Sequence, residues 1–126
     1  MTPLAWKPQY AIRHEKIDTQ HQNLFALYNA MVVLPPESVD RERLMDDLCE
    51  YGLFHFAEEE ALMRSENYPK AAFERHCRSH KLFFRTVQRL RSQSAETALA
   101  FFREWLVRHI LGEDQDIGHF LERPHA

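Results

Sequence analysis

One stretch of the chain, residues 69–90, has the sequence PKAAFERHCRSHKLFFRTVQRL. Its apolar side chains and histidines recur at steps of three and four, which is the spacing of one face of an α-helix. That face consists of Phe73, His76, His80, Phe83, Val87 and Leu90. Pro69 suits the first helical position, where a missing backbone N–H removes no helical hydrogen bond. The stretch predicts a core-facing helix whose apolar stripe is interrupted only by imidazoles.

The same period recurs in three other segments of the chain. We expect the first helix to start just after Asp18, as its N-cap, and to stop before Pro35-Pro36. The second helix is expected from about Ser38 to Arg64, and the fourth between a polar loop at residues 92–96 and Gly112. Glycine is scarce, at three residues, and no alternating pattern indicates strands. Because short connections make neighbouring helices antiparallel, the fold class predicted is all-α, an antiparallel up-down-up-down four-helix bundle.

The length of the chain, 126 residues with 44% hydrophobic composition, fits one compact domain. We expect residues 1–17 to form an extended N-terminal arm anchored by Trp6 and Tyr10. The bundle would then occupy residues 18–122, and residues 123–126 would form a tail.

Charge and apolar patterning exclude several partners at this stage. A formal charge of −3, with acidic and basic residues interspersed, gives no basic footprint for nucleic acid and no polybasic stripe for an anionic membrane. No secretory leader is apparent at the amino terminus and no apolar run could span a bilayer, so a cytoplasmic location is expected. Cys49 and Cys77 lack a metal-ligand spacing and are expected to be reduced core thiols.

Seven side chains of the metal-ligand type fall at core-facing positions of the predicted helices. They are His21, His55, Glu59, His76, His80, His109 and Asp114. A buried imidazole without a partner is costly, which indicates a cation at these positions. In an antiparallel bundle all seven lie near the same end. Asp114 is about 140° around an ideal helix from His109, so the helix must end or distort between them, and Gly112 is where it could do so.

The number and kind of these ligands favour two metal ions. Seven protein ligands are too many for one zinc ion, and the set is too rich in nitrogen for calcium or magnesium. Imidazole suits iron, zinc, copper and nickel, and carboxylates from different helices bridge metal pairs in bundles. A dinuclear iron site is therefore the leading interpretation, and a structural zinc bundle is disfavoured by the ligand number.

Several short motifs carry a resemblance to a known family. Residues 17–21 match the pattern I-D-x-Q-H and residues 55–59 match H-F-x-x-E. The motifs that follow, in the expected order, are Met63, Tyr68-Pro69, His76-Cys77-Arg78-Ser79-His80, Trp105-Leu106, His109-Ile110 and Asp114. Over most of its length the chain resembles the hemerythrin family, and specifically the small single-domain bacteriohemerythrins.

The resemblance implies a cofactor of two iron ions and a role for each ligand. His76, His80 and His109 would hold one iron, and His21 and His55 the other. Glu59 and Asp114 would bridge the two ions together with an oxo or hydroxo group. The iron with two histidines would then keep one coordination position open. By the same resemblance Leu24, Phe56, Trp105 and Leu106 would line an apolar pocket there, although bundle core alone would also explain these residues.

The chain departs from the family pattern at a few positions. Arg13-His14 stands where Gly-Ile is frequent, and Ile117 stands where an aromatic residue is frequent. We expect His14 at the surface, and His119 and His125 in a solvated tail, since none of the three matches a ligand position.

The function that the resemblance implies is reversible binding of dioxygen, for carriage, storage or delivery, without enzymatic turnover. Alternatives that use the same cluster are a di-iron peroxidase or oxidase, for which Tyr51 would be a candidate hydrogen-bond donor, and an oxygen, redox or nitric oxide sensor. The partners expected are dioxygen and a protein that receives oxygen or supplies electrons.

Overall fold

The computed structural model describes residues 2–123 and, over that range, contains helices and no strands. The α-helices in this range are α1 (Glu15–Val32), α2 (Val39–Ser65), α3 (Lys70–Gln93), α4 (Ala95–His109) and α5 (Gln115–Glu122). A π-helical turn, Ile110–Asp114, joins α4 to α5 without a break, so these three segments form the fourth rod of the bundle. The predicted all-α four-helix bundle is confirmed. No helix in residues 2–123 has both the length and the apolar character needed to cross a membrane.

Helix α1 begins earlier than the sequence predicted, because His14 and not Asp18 is its N-cap. The Nδ1 atom of His14 accepts a hydrogen bond from the backbone N–H of Ile17 at 3.3 Å. Asp18 lies inside the first turn, and its carboxylate accepts from the backbone N–H groups of Ile12 at 2.8 Å and Arg13 at 3.1 Å. Asp18 therefore fixes the arm to the helix, and the arm ends at residue 14.

The predicted loop at residues 92–96 is wrong, since Ser94 alone separates α3 from α4. Ser94 has an extended backbone, with φ −167° and ψ 135°, which reverses the chain in one residue. Its hydroxyl accepts from the backbone N–H of Thr97 at 3.2 Å and so caps α4. At the other predicted starts the agreement is close: Ser38 is the N-cap of α2, and Pro69 stands one position before α3.

The apolar core begins beside the predicted ligands, at Leu24, Phe56 and Leu106, and continues toward the other end of the bundle. Tyr28 is fully buried two turns beyond His21, and its ring is stacked on that of Phe102 with 6.3 Å between centroids. Further members of this cluster are Met31, Met45, Leu48, Phe83, Val87 and Leu99. Buried side chains from all four rods meet in this cluster, and their packing sets the spacing of the rods around the predicted ligands.

The N-terminal arm is held against this bundle by paired contacts. The backbone N–H and C=O of Leu4 bond to the side-chain amide of Asn29 at 2.7 and 2.8 Å. Trp6 and Tyr10 pack on the ring of Phe25, with centroids 5.4 and 5.5 Å away, as the sequence predicted. The side-chain amide of Gln115, at the start of α5, donates to the carbonyl oxygens of residues 9, 10 and 11 at 3.3 to 3.4 Å. The arm is thus bound to α1 and to α5.

The two cysteines are free thiols on different helices, Cys49 on α2 and Cys77 on α3. Both are half-buried, so the expectation of core positions is only approximate. Burial raises the pKa of each thiol.

Candidate metal centre

The seven predicted ligand side chains meet inside the bundle. Each of them is buried, with an exposed fraction of 5% or less. His21 comes from the first half of α1, His55 and Glu59 from the second half of α2, and His76 and His80 from the first half of α3. His109 is the last residue of α4, and Asp114 ends the π-helical turn. All seven lie at one end, as the antiparallel arrangement predicts.

Their ligand atoms form two groups that share a carboxylate. One group contains Glu59, His76, His80 and His109, and the other contains His21, His55, Glu59 and Asp114. Within each group the ligand atoms lie within 4.8 Å of one another, which is close enough for a common ion. The histidines therefore divide three to two.

Glu59 faces both groups, one through each oxygen. Its Oε1 atom lies 2.6 Å from His76 Nε2 and 3.1 Å from His80 Nε2. Its Oε2 atom lies 3.0 Å from His55 Nε2 and 3.6 Å from His21 Nε2. A carboxylate placed in this way can give one oxygen to each of two cations.

Asp114 divides its oxygens in the same manner. Its Oδ1 atom is 3.2 Å from both His76 Nε2 and His109 Nε2, while Oδ2 is 3.0 Å from His21 Nε2. Two carboxylates from different rods thus span the same pair of positions.

The π-helical turn is what brings Asp114 to this place. In a regular α-helix, residues five apart are about 140° apart around the axis. A π-helical segment is bonded from residue i to i+5, so it aligns residues at that spacing, and such turns are frequent at functional sites. The predicted distortion between His109 and Asp114 is confirmed, and Gly112 lies within it. Its π-helical form was not predicted.

Several buried atoms of the centre have no hydrogen-bond partner among the residues that the structure describes. They are Nδ1 and Nε2 of His21, Oε2 of Glu59, and both carboxylate oxygens of Asp114. An unsatisfied buried polar atom costs about 1–3 kcal/mol, and more when it is charged. All of them except His21 Nδ1 are ligand atoms facing the two groups. The donor set therefore fits a pair of cations.

Outer partners orient three of the imidazoles. Gln20 Oε1 lies 2.7 Å from His55 Nδ1, and Glu60 Oε2 lies 2.9 Å from His80 Nδ1. Glu113 Oε1 lies 3.5 Å from His109 Nδ1. Each oxygen can accept a proton from Nδ1, which leaves the lone pair on Nε2 for a metal.

Sequence reasoning assigned no role to these three oxygen-bearing residues. Each one is the immediate neighbour of a ligand: Gln20 precedes His21, Glu60 follows Glu59, and Glu113 precedes Asp114. A polar residue beside a ligand is the signal that could have found them.

The metal-free protein holds protons where the cations would bind. Burial alone would lower the pKa of His21 and His76, but the nearby negative charges of Asp114 and Glu59 outweigh it and raise each pKa to about 9. The pKa of His109 is likewise raised well above its ordinary value. Conversely, the surrounding histidines overcome burial and lower the pKa of both carboxyl groups. The carboxylates are therefore ionised at neutral pH.

The four residues predicted to line a ligand pocket surround this end of the core. Phe56 is stacked on His80 with centroids 3.9 Å apart, and Trp105 on His109 with centroids 4.2 Å apart. Leu24 and Leu106 are buried members of the apolar cluster, against which the half-buried Trp105 packs. The two aromatic rings thus stack on histidines of the three-histidine group. That these residues cover an open coordination position stays a prediction.

The structure pairs the hydroxyl of Tyr51 with a side chain of α1. Its hydroxyl accepts a hydrogen bond from Asn23 Nδ2 at 3.0 Å in an exposed contact. Tyr51 lies one turn before His55 and is partly buried against the apolar cluster. Its role as a hydrogen-bond donor beside the metal site stays a prediction.

The remaining histidines lie outside both ligand groups where the structure describes them. His14 is partly exposed and caps α1. His119 is exposed on α5 and so belongs to a helix and not to a tail, while His125 lies outside the described residues. Ile117, three positions after Asp114, is buried.

Comparisons with known proteins agree with this geometry. The model of the family described as "Hemerythrin HHE cation binding domain" matches residues 13–121. A bacteriohemerythrin of Stenotrophomonas maltophilia (strain R551-3) is 34% identical over 124 residues, covering 91% of this chain and 79% of the relative. The alpha subunit of hemerythrin from Lingula anatina is 33% identical over 113 residues, with 89% and 90% covered. A myohemerythrin of Riftia pachyptila is 27% identical over 113 residues, with 90% and 89% covered.

The bundle and its two ligand groups define a class of helical protein with a buried dinuclear cation site. Within that class, the chain belongs to the hemerythrin family. Family membership and the two buried groups together identify the cofactor as a pair of iron ions.

Proposed function

We propose that this chain binds dioxygen reversibly at its di-iron centre and serves in carriage, storage or delivery. In this proposal His76, His80 and His109 hold one iron, His21 and His55 hold the other, and Glu59 and Asp114 bridge them. The single observation that carries it is the three-to-two division of histidines around Glu59, which belongs to both ligand groups, and Asp114, whose two oxygens face different histidine sets.

The unequal division of nitrogen ligands is what provides a position for dioxygen. With the bridges shared equally, the group of His21 and His55 offers one nitrogen fewer than the other group. The iron pair supplies, when bound, the electrons that dioxygen takes up at that position. The side chains keep the exchange reversible: five imidazoles and two carboxylates bring less negative charge than a carboxylate-rich site, and so stabilise high-valent iron less.

The packing around the centre supports binding without further reaction. Leu24 and Leu106 are buried, and the aromatic ring of Phe56 covers His80. Apolar walls exclude water and stray protons, which would otherwise promote loss of bound oxygen and leave an oxidised centre. The hydrogen bond of Gln20 to His55 and that of Glu60 to His80 hold the imidazoles in place during the exchange.

The hydrogen bond of Tyr51 is the reason for preferring oxygen carriage to catalysis. A peroxidase or oxidase is favoured by a proton donor near the open position, and the one that the sequence offered, Tyr51, bonds to Asn23 at the surface. We therefore propose that the chain is not an enzyme.

The experiment is a gas cycle followed by absorption spectroscopy. The iron-loaded protein is reduced without oxygen, exposed to air and then returned to an inert gas. We expect a charge-transfer band that appears and disappears over several cycles. A one-way conversion to the oxidised form, or steady turnover of peroxide with a reductant, would refute oxygen carriage.

A matched pair of histidine variants ties the band to the centre. His76→Ala should lose iron and the band, since binding and folding are coupled at such sites. His119→Ala, which removes an exposed histidine of α5, should keep both.

A further inference from the structure

One helix carries a charge that the overall balance of the chain conceals. Helix α3 contains seven lysines and arginines and a single acidic residue, Glu74, whereas the whole chain has 16 basic and 19 acidic residues. The expectation that charges are interspersed is therefore wrong for α3. Six of its basic side chains are exposed, and the five after Lys70 follow one another along the side of the helix opposite the buried stripe of His76, His80, Phe83 and Val87. We call this set the basic face: Arg75, Arg78, Lys81, Arg85 and Arg89.

The side chains of the basic face have no acidic partner among residues 2–123. No ion pair within 4.0 Å involves any of them in that range, in contrast to Arg91 at the end of the same helix, which pairs with Glu42 and Asp46. Uncompensated charges that face solvent are available to an outside partner of opposite charge.

An apolar groove runs beside the basic face, between α2 and α3. Its volume is about 300 Å³, and Leu53 and Phe84 line it together with Lys81 and Arg85. Leu53 is 47% exposed, and Leu82, among the basic residues, is 65% exposed. Apolar residues surrounded by charged ones are the usual composition of a protein-binding surface.

The groove ends at the metal centre. His80 and its outer partner Glu60 line its inner wall, and so does Phe56, whose ring is stacked on His80 at 3.9 Å. A molecule seated in the groove would contact a proposed metal ligand, His80, directly. The basic face itself reaches this point, because Lys81 follows His80 directly in the chain.

The dimensions and surroundings of the basic face favour a small acidic protein as the partner. The 14 steps from Arg75 to Arg89 span about 21 Å along the helix, which suits a small transient interface. Outside α3 the chain has nine basic and 18 acidic residues, and these would repel a polyanion that extends past the helix. An extended nucleic acid or an anionic membrane is such a polyanion.

We propose that the basic face and its groove form the docking surface for a small acidic protein that carries single electrons and restores the centre after oxidation. This proposal rests on the proposed function. At each docking event the donor loses one electron and one ferric ion becomes ferrous, so two donor molecules return the pair to its oxygen-binding state. No covalent bond of the polypeptide changes in the transfer.

The test uses an acidic [2Fe–2S] ferredoxin as the probe and a triple charge reversal, R78E/K81E/R85E. The matched control is K7E/R43E/R108E, which makes the same change in net charge at exposed positions outside α3. Circular dichroism verifies that both variants are folded.

Docking is measured first on zinc-loaded protein, which cannot be reduced, by titration with oxidised ferredoxin at several salt concentrations. We expect binding that weakens with salt, a tenfold or greater loss of affinity in the α3 variant, and little change in the control. Absence of salt-dependent binding to the wild-type chain would overturn the proposal, as would equal losses in both variants. Tighter α3-dependent binding to anionic lipid vesicles or to RNA than to ferredoxin would also overturn it.

Electron transfer is measured next, by stopped-flow reduction of the ferric protein. Reduction by ferredoxin should slow at least tenfold in the α3 variant, while reduction by dithionite, a small reagent, should be the same in all three proteins. An equal rate with ferredoxin in all three would contradict the proposal. Because docking to zinc-loaded protein requires no oxygen chemistry, failure of the gas cycle would count against oxygen carriage alone.

Discussion

Gln20 of α1 accepts a hydrogen bond from His55 of α2, with 2.7 Å between Oε1 and Nδ1. The contact joins two helices and fixes the proton of the imidazole on Nδ1, so that Nε2 faces Glu59 and the second ligand group. Gln20 is itself buried, which keeps water from replacing the amide.

This hydrogen bond should set the metal affinity of the two-histidine group. We expect Gln20→Leu to weaken binding of the metal ion at His21 and His55 by about 10- to 100-fold, the usual effect of removing an outer partner of a ligand. Chelator competition measures the change, and Gln22→Leu, an exposed glutamine two positions away, is the control. Equal affinities in the two variants would show that Gln20 only fills space.

Metal loading should release protons at neutral pH. In the metal-free protein the pKa values of His21 and His76 are raised to about 9, so both imidazoles are protonated at pH 7 and must lose a proton before they bind a cation. The apparent affinity for zinc should therefore rise with pH and level off above about pH 9. Calorimetry in buffers of different ionisation heat counts the protons. A binding enthalpy independent of the buffer would contradict this assignment of charge.

Two glycines should respond oppositely to the same substitution. At Gly52, in the middle of α2, an added Cβ meets no atom within 4 Å, so Gly52→Ala should raise the free energy of unfolding by about 1 kcal/mol. At Gly118 on α5 the Cβ would lie 2.6 Å from the carbonyl oxygen of Ile12, so Gly118→Ala should lower it by about 1–3 kcal/mol. Urea unfolding at fixed metal content measures both changes. Stabilisation by both substitutions would mean that the arm does not pack on α5 in solution.

Leu106 should protect the centre from water. Leu106→Ala is expected to speed autoxidation with little loss of iron, because truncating a buried leucine opens space beside the ligands. The matched control is Leu48→Ala, an equally buried leucine two turns from His55 in the apolar core. Both variants should lose about 2–5 kcal/mol of stability, and only the first should oxidise faster under air. The same oxidation rate in both would attribute the effect to general loosening.

Much of the fold and of the centre followed from the sequence because both depend on a helical period. An imidazole within an apolar stripe, as at His76 and His80, marks its own position on the core-facing side of a helix. The placement of the seven predicted ligands at one end then required only that consecutive helices alternate in direction. The need for a distortion before Asp114 followed from the same angular spacing.

The features that the sequence did not predict depend on tertiary contacts, or were hidden by a net charge summed over the whole chain. Asp18 resembles an N-cap in isolation, and only the position of the arm reveals that its carboxylate binds residues 12 and 13 instead. In the sequence, Glu60 and Glu113 cannot be distinguished from solvent-exposed glutamates on a helix surface. Only the packing of the neighbouring rod brings them to a histidine. The net charge of −3 concealed α3, because a sum over the chain carries no information about where charges lie.

The π-helical turn at the end of α4 connects the centre to the N-terminal arm, because Asp114 enters the centre and Gln115, beside it, binds the arm. If residues 110–114 rewound into a regular helix, Asp114 would lie roughly 140° around the helix axis from His109 and so leave the centre. Gln115, the next residue, would turn with it and release the backbone carbonyls at residues 9 to 11. Binding of cations by Asp114 and fastening of the arm by Gln115 therefore favour the same backbone conformation.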